Sequence, residues 1–297
     1  MKSFDAMSRL IDLSEHHLHQ LEWETTRFKL DLGDPLIMGI VNVTPDSFSD
    51  PGEFFQSRVA IEHAAQLLKD GAHILDIGGE SSRPGATPID AAEEWRRVGE
   101  VLREAIKWNV PISLDSYRLE TQLRALDLGV DIINDIWALQ REGALEKLQS
   151  YKCGVCLMHM QGEPSTMQRT PLQGTNREAF ASVKNFLTLR TKALEAATYS
   201  ARRIVIDPGI GFGKTVDQNL YLLKNQAELL ELGYPLLIGW SRKSTLGQVT
   251  GCAVGDRLAP SLAALVMALE RGAKILRVHD VRESYQALEI WQAVECS

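Results

Sequence analysis

Eight short apolar segments, each followed by a longer amphipathic segment, constrain the fold of this chain more than any other feature. The short segments are rich in Ile, Val and Leu, and they lack the polar alternation of a strand with one solvated face. Each segment therefore predicts a strand that is buried on both sides. The predicted strands are Leu36–Val43, Ile74–Ile77, Ile112–Leu114, Ile132–Ile133, Val155–Met158, Ile204–Ile206, Leu236–Ile238 and Ile275–Val278.

The segments between the predicted strands show helical periodicity. From Ile89 to Ile106, apolar residues recur at spacings of three and four, which is typical of an amphipathic helix. Similar patterns lie near Arg58–Lys69, Leu119–Leu128, Arg177–Ala197, Asn219–Leu232, Arg257–Arg271 and Glu283–Val294. Glycines stand just before four of the strands, where helix C-terminal caps are expected. These glycines are Gly71, Gly129, Gly233 and Gly272.

Eight consecutive strand–helix units predict an α/β protein of the (β/α)8 class, the TIM barrel. A doubly wound open sheet is the alternative fold, but a count of eight favours closure. A chain of 297 residues is within the size range of a single barrel domain. We predict one barrel domain over residues 34–297 and a short N-terminal extension over residues 1–33. The extension is predicted to hold a helix and a small hairpin around the sequence FKLDLGDP.

Composition and charge argue against several classes of partner. The net charge is −7, from 39 acidic and 32 basic residues, which disfavours nucleic acid as a partner. The longest apolar stretch, Leu262–Leu269, is too short to span a bilayer. The first residues carry charges where a signal peptide needs an apolar run. We therefore expect a cytoplasmic protein without a membrane partner.

The pair Cys153 and Cys156 forms a C-x-x-C sequence, which is found in redox dithiols and in zinc sites. The pair lies at a predicted buried strand, where residues three apart point to opposite faces. No second cysteine pair completes a zinc site, and four cysteines are too few for a disulfide scaffold at this length. The pattern favours two structural thiols.

Polar residues follow the predicted strands, and in a barrel these strand ends meet at one face, where active sites lie. Three of the residues supply hydrogen-bond acceptors: Asp115, Asn134 and Asp207. A ligand that meets two carboxylates and an amide is expected to present several N–H donors. Any single buried Asp or Arg is more often a structural cap or an ion-pair partner. The gathering of such residues at all eight strand ends favours a binding site.

A second set of residues at the same strand ends supplies cations and other anion-binding groups. Its members are Arg83, Lys243, Arg277 and His279, with Asn42 nearby. Such a set suits a phosphate or a pyrophosphate. The site is therefore predicted to bind a bipolar ligand, with a donor-rich heterocycle at one end and an anion at the other.

The sequence DPGIGFGKT, residues 207–215, has the glycines and the Gly-Lys-Thr ending of a phosphate-binding loop. A P-loop also requires a glycine six residues before its lysine, and the residue at that distance from Lys214 is Pro208. The segment begins with an acid, Asp207, directly after a predicted strand. These two features disfavour a phosphate-binding loop, but by themselves they leave the role of Lys214 open.

Six motifs between about Leu36 and Val281 resemble those of the bacterial dihydropteroate synthase family, in order and with similar spacing. They are MGIVNVTPDSFSD, DIGGESSRPGA, MHMQGEPSTMQ, DPGIGFGKT, GWSRKS and RVHDV. The resemblance implies a transferase of folate biosynthesis that joins p-aminobenzoate to the pyrophosphate ester of 6-hydroxymethyl-7,8-dihydropterin and releases pyrophosphate. It also implies Mg2+ as a cofactor, a homodimer formed through late barrel helices, and sensitivity of the aminobenzoate site to sulfonamides.

The resemblance further implies roles for individual residues. The pterin ring is expected to bind Asp115, Asn134, Asp207, Lys243 and Phe212. The pyrophosphate is expected to bind Asn42, Arg83, Arg277 and His279, with Asn42 as the protein ligand to the metal. The p-aminobenzoate is expected to contact Phe48, Ser82, Pro84, Phe212 and Ser244, the last at a helix N-terminus. The residues expected to act in catalysis are Lys243, Arg83 and Asp50.

Three departures from the family pattern leave the required chemical groups in place. Ser82 stands where the family more often has threonine, Pro51 replaces a usual glycine, and the N-terminal segment is longer than the family minimum. Two other functions remain open at this stage. A pterin-dependent methyltransferase domain shares the barrel and the pterin pocket, but it expels no pyrophosphate and would not need the SSRPG, SRKS and RVHD motifs together. A non-catalytic pterin-binding paralogue would be expected to have lost Lys243, Arg277 or the first loop.

Overall fold

The computed structural model describes residues 21–44, 53–81 (residues 53–55 as backbone), 85–164, 166–167 and 169–297. Two short strands form an antiparallel hairpin, and eight further strands form a parallel barrel. The strands are β1 (Glu22–Glu24), β2 (Lys29–Asp31), β3 (Leu36–Asn42), β4 (Ile74–Gly78), β5 (Ile112–Asp115), β6 (Ile132–Asp135), β7 (Gly154–Met158), β8 (Ile204–Asp207), β9 (Leu236–Ile238) and β10 (Ala273–Val278).

The barrel is closed, as the count of eight strands predicted. Its strand order is β10-β3-β4-β5-β6-β7-β8-β9, so that β10 pairs in parallel with β3 and with β9. All eight predicted strands are present, and most extend by a residue or two beyond the predicted bounds. The hairpin β1–β2 includes only its second strand in the predicted segment FKLDLGDP, because its first strand lies before that segment, and the predicted N-terminal helix lies outside the described residues. The division at residue 33/34 stays a prediction.

The α-helices of the described residues surround the barrel. They are α1 (Glu53–Lys69), α2 (Ala91–Ala105), α3 (Leu119–Leu128), α4 (Ala144–Leu148), α5 (Asn176–Ala196), α6 (Val216–Lys224), α7 (Ser244–Thr250), α8 (Leu258–Leu269) and α9 (Val281–Glu295). Short 3-10 helices cover Gln149–Tyr151, Ala201–Arg203, Gln226–Leu232 and Val254–Asp256. None of the helices in this part of the chain combines the length and the apolar character that a membrane span requires.

The predicted helix Asn219–Leu232 is wrong in one respect, because the α-helix ends at Lys224 and a 3-10 helix follows. The backbone N–H and the side-chain amide of Asn225 both donate to the carbonyl of Tyr221, at 3.0 and 2.8 Å, where the α-helix ends. The helix α4 was not predicted, because five residues are too few to show helical periodicity.

The glycines predicted to follow helices do so in the left-handed conformation. Gly129 ends α3 with φ 98°, and its N–H donates to the carbonyls of Ala125 and Leu126. A residue with a Cβ would be strained at this φ, so glycine allows the chain to leave the helix and enter the next strand. The other three glycines of the prediction, Gly71, Gly233 and Gly272, also have positive φ.

The interior of the barrel is an apolar layer that the N-terminal hairpin completes. Trp23 and Leu32 are fully buried there, against inward-facing residues such as Met38 and Ile74 at the N-terminal ends of the strands. The indole N–H of Trp23 donates to the carbonyl of Arg203 at 3.0 Å, so the ring is both packed and hydrogen-bonded. The hairpin therefore covers the end of the barrel opposite to the strand C-termini.

The two cysteines of the C-x-x-C sequence lie on opposite sides of the barrel wall. Cys153 packs in the outer layer, between strands and helices, and Cys156 packs in the inner layer. Both are free thiols, and burial raises the pKa of Cys153 to about 11. The two thiols therefore do not form a disulfide with each other, which supports a structural role for both.

We predict that Trp23→Ala lowers the free energy of unfolding by about 3–5 kcal/mol, because it removes a fully buried indole from the barrel interior. Leu189→Ala, at a side chain that is 67% exposed, is the control and should change the free energy by less than about 0.5 kcal/mol. Urea unfolding followed by circular dichroism measures both values. Equal effects would show that the hairpin is not part of the barrel core.

Candidate active site

The polar residues predicted to form a site are brought together by the parallel register of the barrel. Asp115 is the last residue of β5, and its register partner in β6 is Asn134. Asp207 is the last residue of β8, and Arg277 is the penultimate residue of β10. Because all eight strands run in the same direction, their C-terminal ends meet at one face, and Asn42 ends β3 at that same face.

Arg277 forms the central contact of this face. Its Nε atom donates to Asp76 Oδ2 at 2.6 Å, and its Nη2 atom donates to Asp115 Oδ2 at 2.5 Å. The amide nitrogen of Asn134 donates to the same oxygen of Asp76 at 3.2 Å. Asp115 and Arg277, which the sequence analysis placed in two separate sets, are therefore in direct contact.

Asp76 is a member of the site that sequence reasoning missed. It lies in the middle of β4 and is fully buried, whereas the prediction considered only residues at or after the strand ends. Its Oδ1 atom is buried and has no hydrogen-bond partner among the described residues. An acid in the middle of the otherwise apolar sequence ILDIG was the available signal, because a buried charge requires a partner.

The central charges do not balance, since two carboxylates share one guanidinium. Burial raises the pKa of Asp115 from its ordinary value of 3.8 to about 7, while Arg277 opposes the shift and Asp76 adds to it. Burial acts to lower the pKa of Arg277, but Asp76 and Asp115 outweigh it and raise the pKa above its usual value. The arginine therefore stays charged, and the carboxyl group of Asp115 titrates near neutral pH.

The loop after β8 is folded tightly around Asp207. The carboxylate is buried, and its Oδ1 atom accepts a hydrogen bond from the N–H of Gly209 at 2.7 Å. Gly209 has φ 68°, and a Cβ there would overlap with the carbonyl oxygen of His159. Only glycine allows this backbone approach. Burial also raises the pKa of Asp207.

Lys243 and Phe212 lie against each other at the same face. The Lys243 Nζ atom is 4.3 Å from the centre of the Phe212 ring, within the range of a cation–π contact. Burial lowers the pKa of Lys243 to about 8, with Asp207 acting in the opposite direction. The pair therefore combines an apolar ring with an amine that carries a proton at neutral pH.

The remaining described residues of the prediction lie near the C-terminal ends of the strands. The backbone N–H of His279 donates to Ser241 Oγ at 3.1 Å, and its Nδ1 atom lies at the same distance from that hydroxyl. Ser244 is exposed and is the first residue of α7, as predicted. Asn42 is partly buried at the end of β3. Phe48, Asp50, Ser82, Arg83 and Pro84 lie outside the described residues.

A cavity of about 550 Å³ opens among the loops at this face of the barrel. Its walls come from the loops after four neighbouring strands, and they include Tyr117, Trp137 and Arg141. The ion-paired residues Asp76, Asp115 and Arg277 are not among its lining residues, so the cavity belongs to the surrounding loops and not to the central contact. Within its wall, Glu80 accepts hydrogen bonds from Tyr117 at 2.8 Å and from Arg118 at 2.5 Å.

The arrangement can bind a planar heterocycle with several N–H donors. The acceptors are largely buried carboxylate and amide oxygens, which are costly to leave without donors. The same face also holds cations, and Arg277 uses two of its five N–H donors on carboxylates. Donors therefore remain for an anion that lies next to the heterocycle.

Comparison with known proteins identifies similar sequences and structures. The model of the pterin binding enzyme family matches residues 38–279. A dihydropteroate synthase of Neisseria meningitidis serogroup B is 49% identical over 279 residues, which cover 92% of this chain and 97% of that protein. The Xanthomonas albilineans dihydropteroate synthase structure with 4-aminobenzoic acid has a TM-score of 0.87 and 41% identity, and it covers 94% of this chain and 99% of its own. The Yersinia pestis dihydropteroate synthase structure with a sulfonamide drug has a TM-score of 0.86 and 39% identity, with coverage of 93% and 100%.

We predict that Asp115→Asn stabilises the ligand-free protein above pH 7. The folded protein holds a proton on Asp115 up to about pH 7, whereas an unfolded chain releases it near 3.8. The proton therefore favours folding at low pH, and this stability is lost as the pH rises through 7. At pH 8 the variant should melt a few degrees above the parent, and at pH 5 the difference should shrink. Thermal unfolding at both values measures this.

The control for this comparison is Asp256→Asn, which changes an exposed acid and should leave the melting temperature close to that of the parent at both pH values. A difference between Asp115→Asn and the parent that does not depend on pH would contradict the predicted titration.

Proposed function

Because the chain belongs to the dihydropteroate synthases of the pterin binding enzyme family, we propose that it condenses 6-hydroxymethyl-7,8-dihydropterin pyrophosphate with p-aminobenzoate and releases pyrophosphate. The best support for this proposal is that hydrogen-bond acceptors and a cation share one face of the barrel. Asp115, Asn134 and Asp207 lie there beside Arg277. Such a face matches a substrate with a donor-rich ring and an anionic leaving group.

In this proposal the pterin ring binds the acceptor side of the site. The amino-pyrimidinone edge of a pterin presents adjacent N–H donors, and the carboxylate of Asp207 accepts two of them side by side. Asp115 and Asn134 meet the remaining ring nitrogens. Lys243 donates to the acceptor edge of the ring, and Phe212 packs against its face. The 2.7 Å bond from Gly209 orients the Asp207 carboxylate before the ligand arrives.

The pyrophosphate lies at the cationic side of the site, with Arg277, His279, Asn42 and Arg83 as its partners. Arg277 is fixed by its bonds to Asp76 and Asp115. Its remaining N–H donors would bind the anion. A guanidinium is suited to this role because its donors match the geometry of phosphate oxygens. The pyrophosphate is thereby held beside the pterin that carries it.

Loss of pyrophosphate leaves positive charge on the pterin methylene, and the electron-rich dihydropterin ring delocalises it. The amine of p-aminobenzoate then forms the new C–N bond and releases a proton. The protein needs no covalent nucleophile for this sequence. Its contribution is to hold the leaving group with Arg83 and Arg277, to orient the ring with Lys243, and to close Asp50 over the developing cation.

Asn42 is the proposed protein ligand to Mg2+. Its side-chain oxygen at the end of β3 is of the ligand type that Mg2+ prefers. The described residues contain no group of three or more His, Cys, Asp or Glu side chains that could hold a metal ion. This fits an ion bound chiefly by substrate phosphate oxygens and water. Bound there, Mg2+ would neutralise charge on the leaving pyrophosphate.

The p-aminobenzoate ring is proposed to lie among Phe48, Ser82, Pro84 and Phe212, with its carboxylate near Ser244. The Xanthomonas albilineans relative binds 4-aminobenzoic acid and the Yersinia pestis relative binds a sulfonamide drug, which supports an aminobenzoate site in this chain. A sulfonamide has an aniline ring like that of the substrate and should compete for the same place.

The chain is also proposed to be a cytoplasmic protein that forms a homodimer through the last helices of the barrel, α8 and α9. Three exposed apolar side chains support such an interface: Met267 on α8, with Ile290 and Val294 on α9. These two helices pack against each other, so their exposed side chains form neighbouring parts of one surface. Sedimentation of the purified chain measures the oligomeric state, and a monomer at micromolar concentration would contradict this part of the proposal.

The reaction is tested by incubating the purified chain with dihydropterin pyrophosphate, p-aminobenzoate and Mg2+. We expect dihydropteroate and pyrophosphate in equal amounts, with none formed from the pterin alcohol, which lacks the leaving group. A chelator should abolish the reaction if Mg2+ is required. Binding of the pterin without product formation would instead favour the non-catalytic alternative. The methyltransferase alternative gains no support from the relatives described above, which are synthases.

Asp207→Asn should weaken pterin binding by on the order of 2–4 kcal/mol, because an acceptor oxygen becomes a donor that faces the pterin N–H groups. Calorimetric titration with the pterin alcohol measures the change without any contribution from pyrophosphate. Asp217→Asn, at an exposed position in the first turn of α6, is the matched control and should bind like the parent. Unchanged affinity in Asp207→Asn would remove this residue from the pterin site.

A further inference from the structure

Lys214 is a buried cation that the proposed mechanism does not use. Its side chain ends next to three backbone carbonyl oxygens, those of Gly209 at 2.7 Å, Phe212 at 3.1 Å and His159 at 3.4 Å. The residue is 2% exposed. An ammonium group has three N–H donors and no acceptor, so these three carbonyls match its full donor capacity. No donor is left for a phosphate group.

The three carbonyls belong to two different segments of the chain. Gly209 and Phe212 are in the loop after β8, and His159 is the first residue after β7. The two segments are in close backbone contact, because a Cβ at Gly213 would overlap with the carbonyl of Gln161. Carbonyl oxygens that converge in a buried space repel one another unless a donor lies between them. The ammonium group of Lys214 is that donor.

The loop after β8 is also held from its other side. The side-chain oxygen of Asn219 accepts from the N–H of Gly211 at 2.8 Å, and its amide nitrogen donates to Thr245 Oγ1 at 3.1 Å. Asn219 is buried at the start of α6, and Thr245 is in α7. Lys214 therefore ties the loop toward β7 while Asn219 ties it toward α7.

This loop carries two groups assigned to the pterin. Asp207 is oriented by the N–H of Gly209, and the carbonyl of that same glycine accepts from Lys214. Phe212 lies under Lys243, and its carbonyl also accepts from Lys214. A change in the position of the Lys214 amine would therefore move both groups that contact the ring, although the amine itself faces only the backbone.

We propose that Lys214 is a positioning residue that holds the loop of residues 207–213 in its pterin-binding conformation. The inference rests on the proposed function. It gives the lysine of the GFGKT sequence a role in positioning the loop, whereas the lysine of a P-loop binds phosphate. Burial lowers the pKa of Lys214 to about 7, against the effect of Asp207, and the three carbonyl oxygens favour the protonated amine.

The test compares Lys214→Met, which keeps the length of the side chain and removes its donors, with Lys214→Arg, which keeps a cation. Lys224→Met, at an exposed lysine at the end of α6, is the matched control. Calorimetry with three ligands gives the affinities: the pterin alcohol, dihydropterin pyrophosphate and inorganic pyrophosphate. Melting temperatures and the KM and kcat values for dihydropterin pyrophosphate are measured in parallel.

We expect Lys214→Met to bind both pterins about tenfold or more weakly, because a set of hydrogen bonds to a charged donor is lost. Its affinity for inorganic pyrophosphate should be unchanged, and its KM for dihydropterin pyrophosphate should rise more than its kcat falls. Lys214→Arg should recover most of the lost affinity. The control should match the parent throughout.

Two results would overturn the inference. A loss confined to the pyrophosphate-containing ligands would show a phosphate-binding lysine, and a lower melting temperature with unchanged pterin affinity would show a purely structural one. If Lys214→Met does not fold, Lys214→Gln replaces it, because glutamine retains two N–H donors. Its affinities for the three ligands are then compared with those of the parent and the control. A parent protein that binds neither pterin would contradict the proposed function rather than the role of Lys214.

Discussion

The guanidinium of Arg277 lies between the carboxylates of Asp76 and Asp115, and the active face is organised around this contact. The three residues come from β10, β4 and β5, which are far apart in the sequence. They meet because β10 closes the barrel against β3, and closure brings the last strand beside the first. Without the pairing of β10 with β3, Arg277 would lie at the far edge of the sheet, away from Asp76 and Asp115 on the neighbouring strands β4 and β5. The ion pairs therefore depend on the closed fold, and the geometry of the site depends on the ion pairs.

The same contact leaves the protein with an unfavourable charge that a ligand can relieve. Two carboxylates share one guanidinium, and Asp76 also has a buried oxygen without a partner among the described residues. Such groups cost stability in the ligand-free state, and a buried ion pair is by itself weak support for a fold. A heterocycle that presents N–H donors would satisfy these acceptors. The acceptor oxygens without donors therefore explain both the instability of the empty site and its affinity for a pterin.

Much of the fold could be predicted from the sequence because its signals are local. Short apolar segments without polar alternation indicate strands that are buried on both sides. A glycine such as Gly129 indicates the end of a helix, because glycine readily adopts the left-handed conformation found there. The position of Asp115, Asn134 and Asp207 at strand ends was also predictable, since the ends of parallel strands meet at one face. Asp76 was missed because it lies within its strand, where the pattern indicates only burial.

The sequence by itself determined the order of the strands and helices, the family, and which chemical groups are available at the active face. It did not determine how those groups pair. Asp115 and Arg277 were assigned to opposite ends of a ligand, yet they are in contact, and Lys214 was left without a role, yet it joins two loops. Pairings of this kind depend on distances between residues remote in the sequence, and barrel closure sets those distances. Only the tertiary structure could decide them, because hydrogen bonds and ion pairs require contact within a few ångströms, whatever the order of residues along the chain.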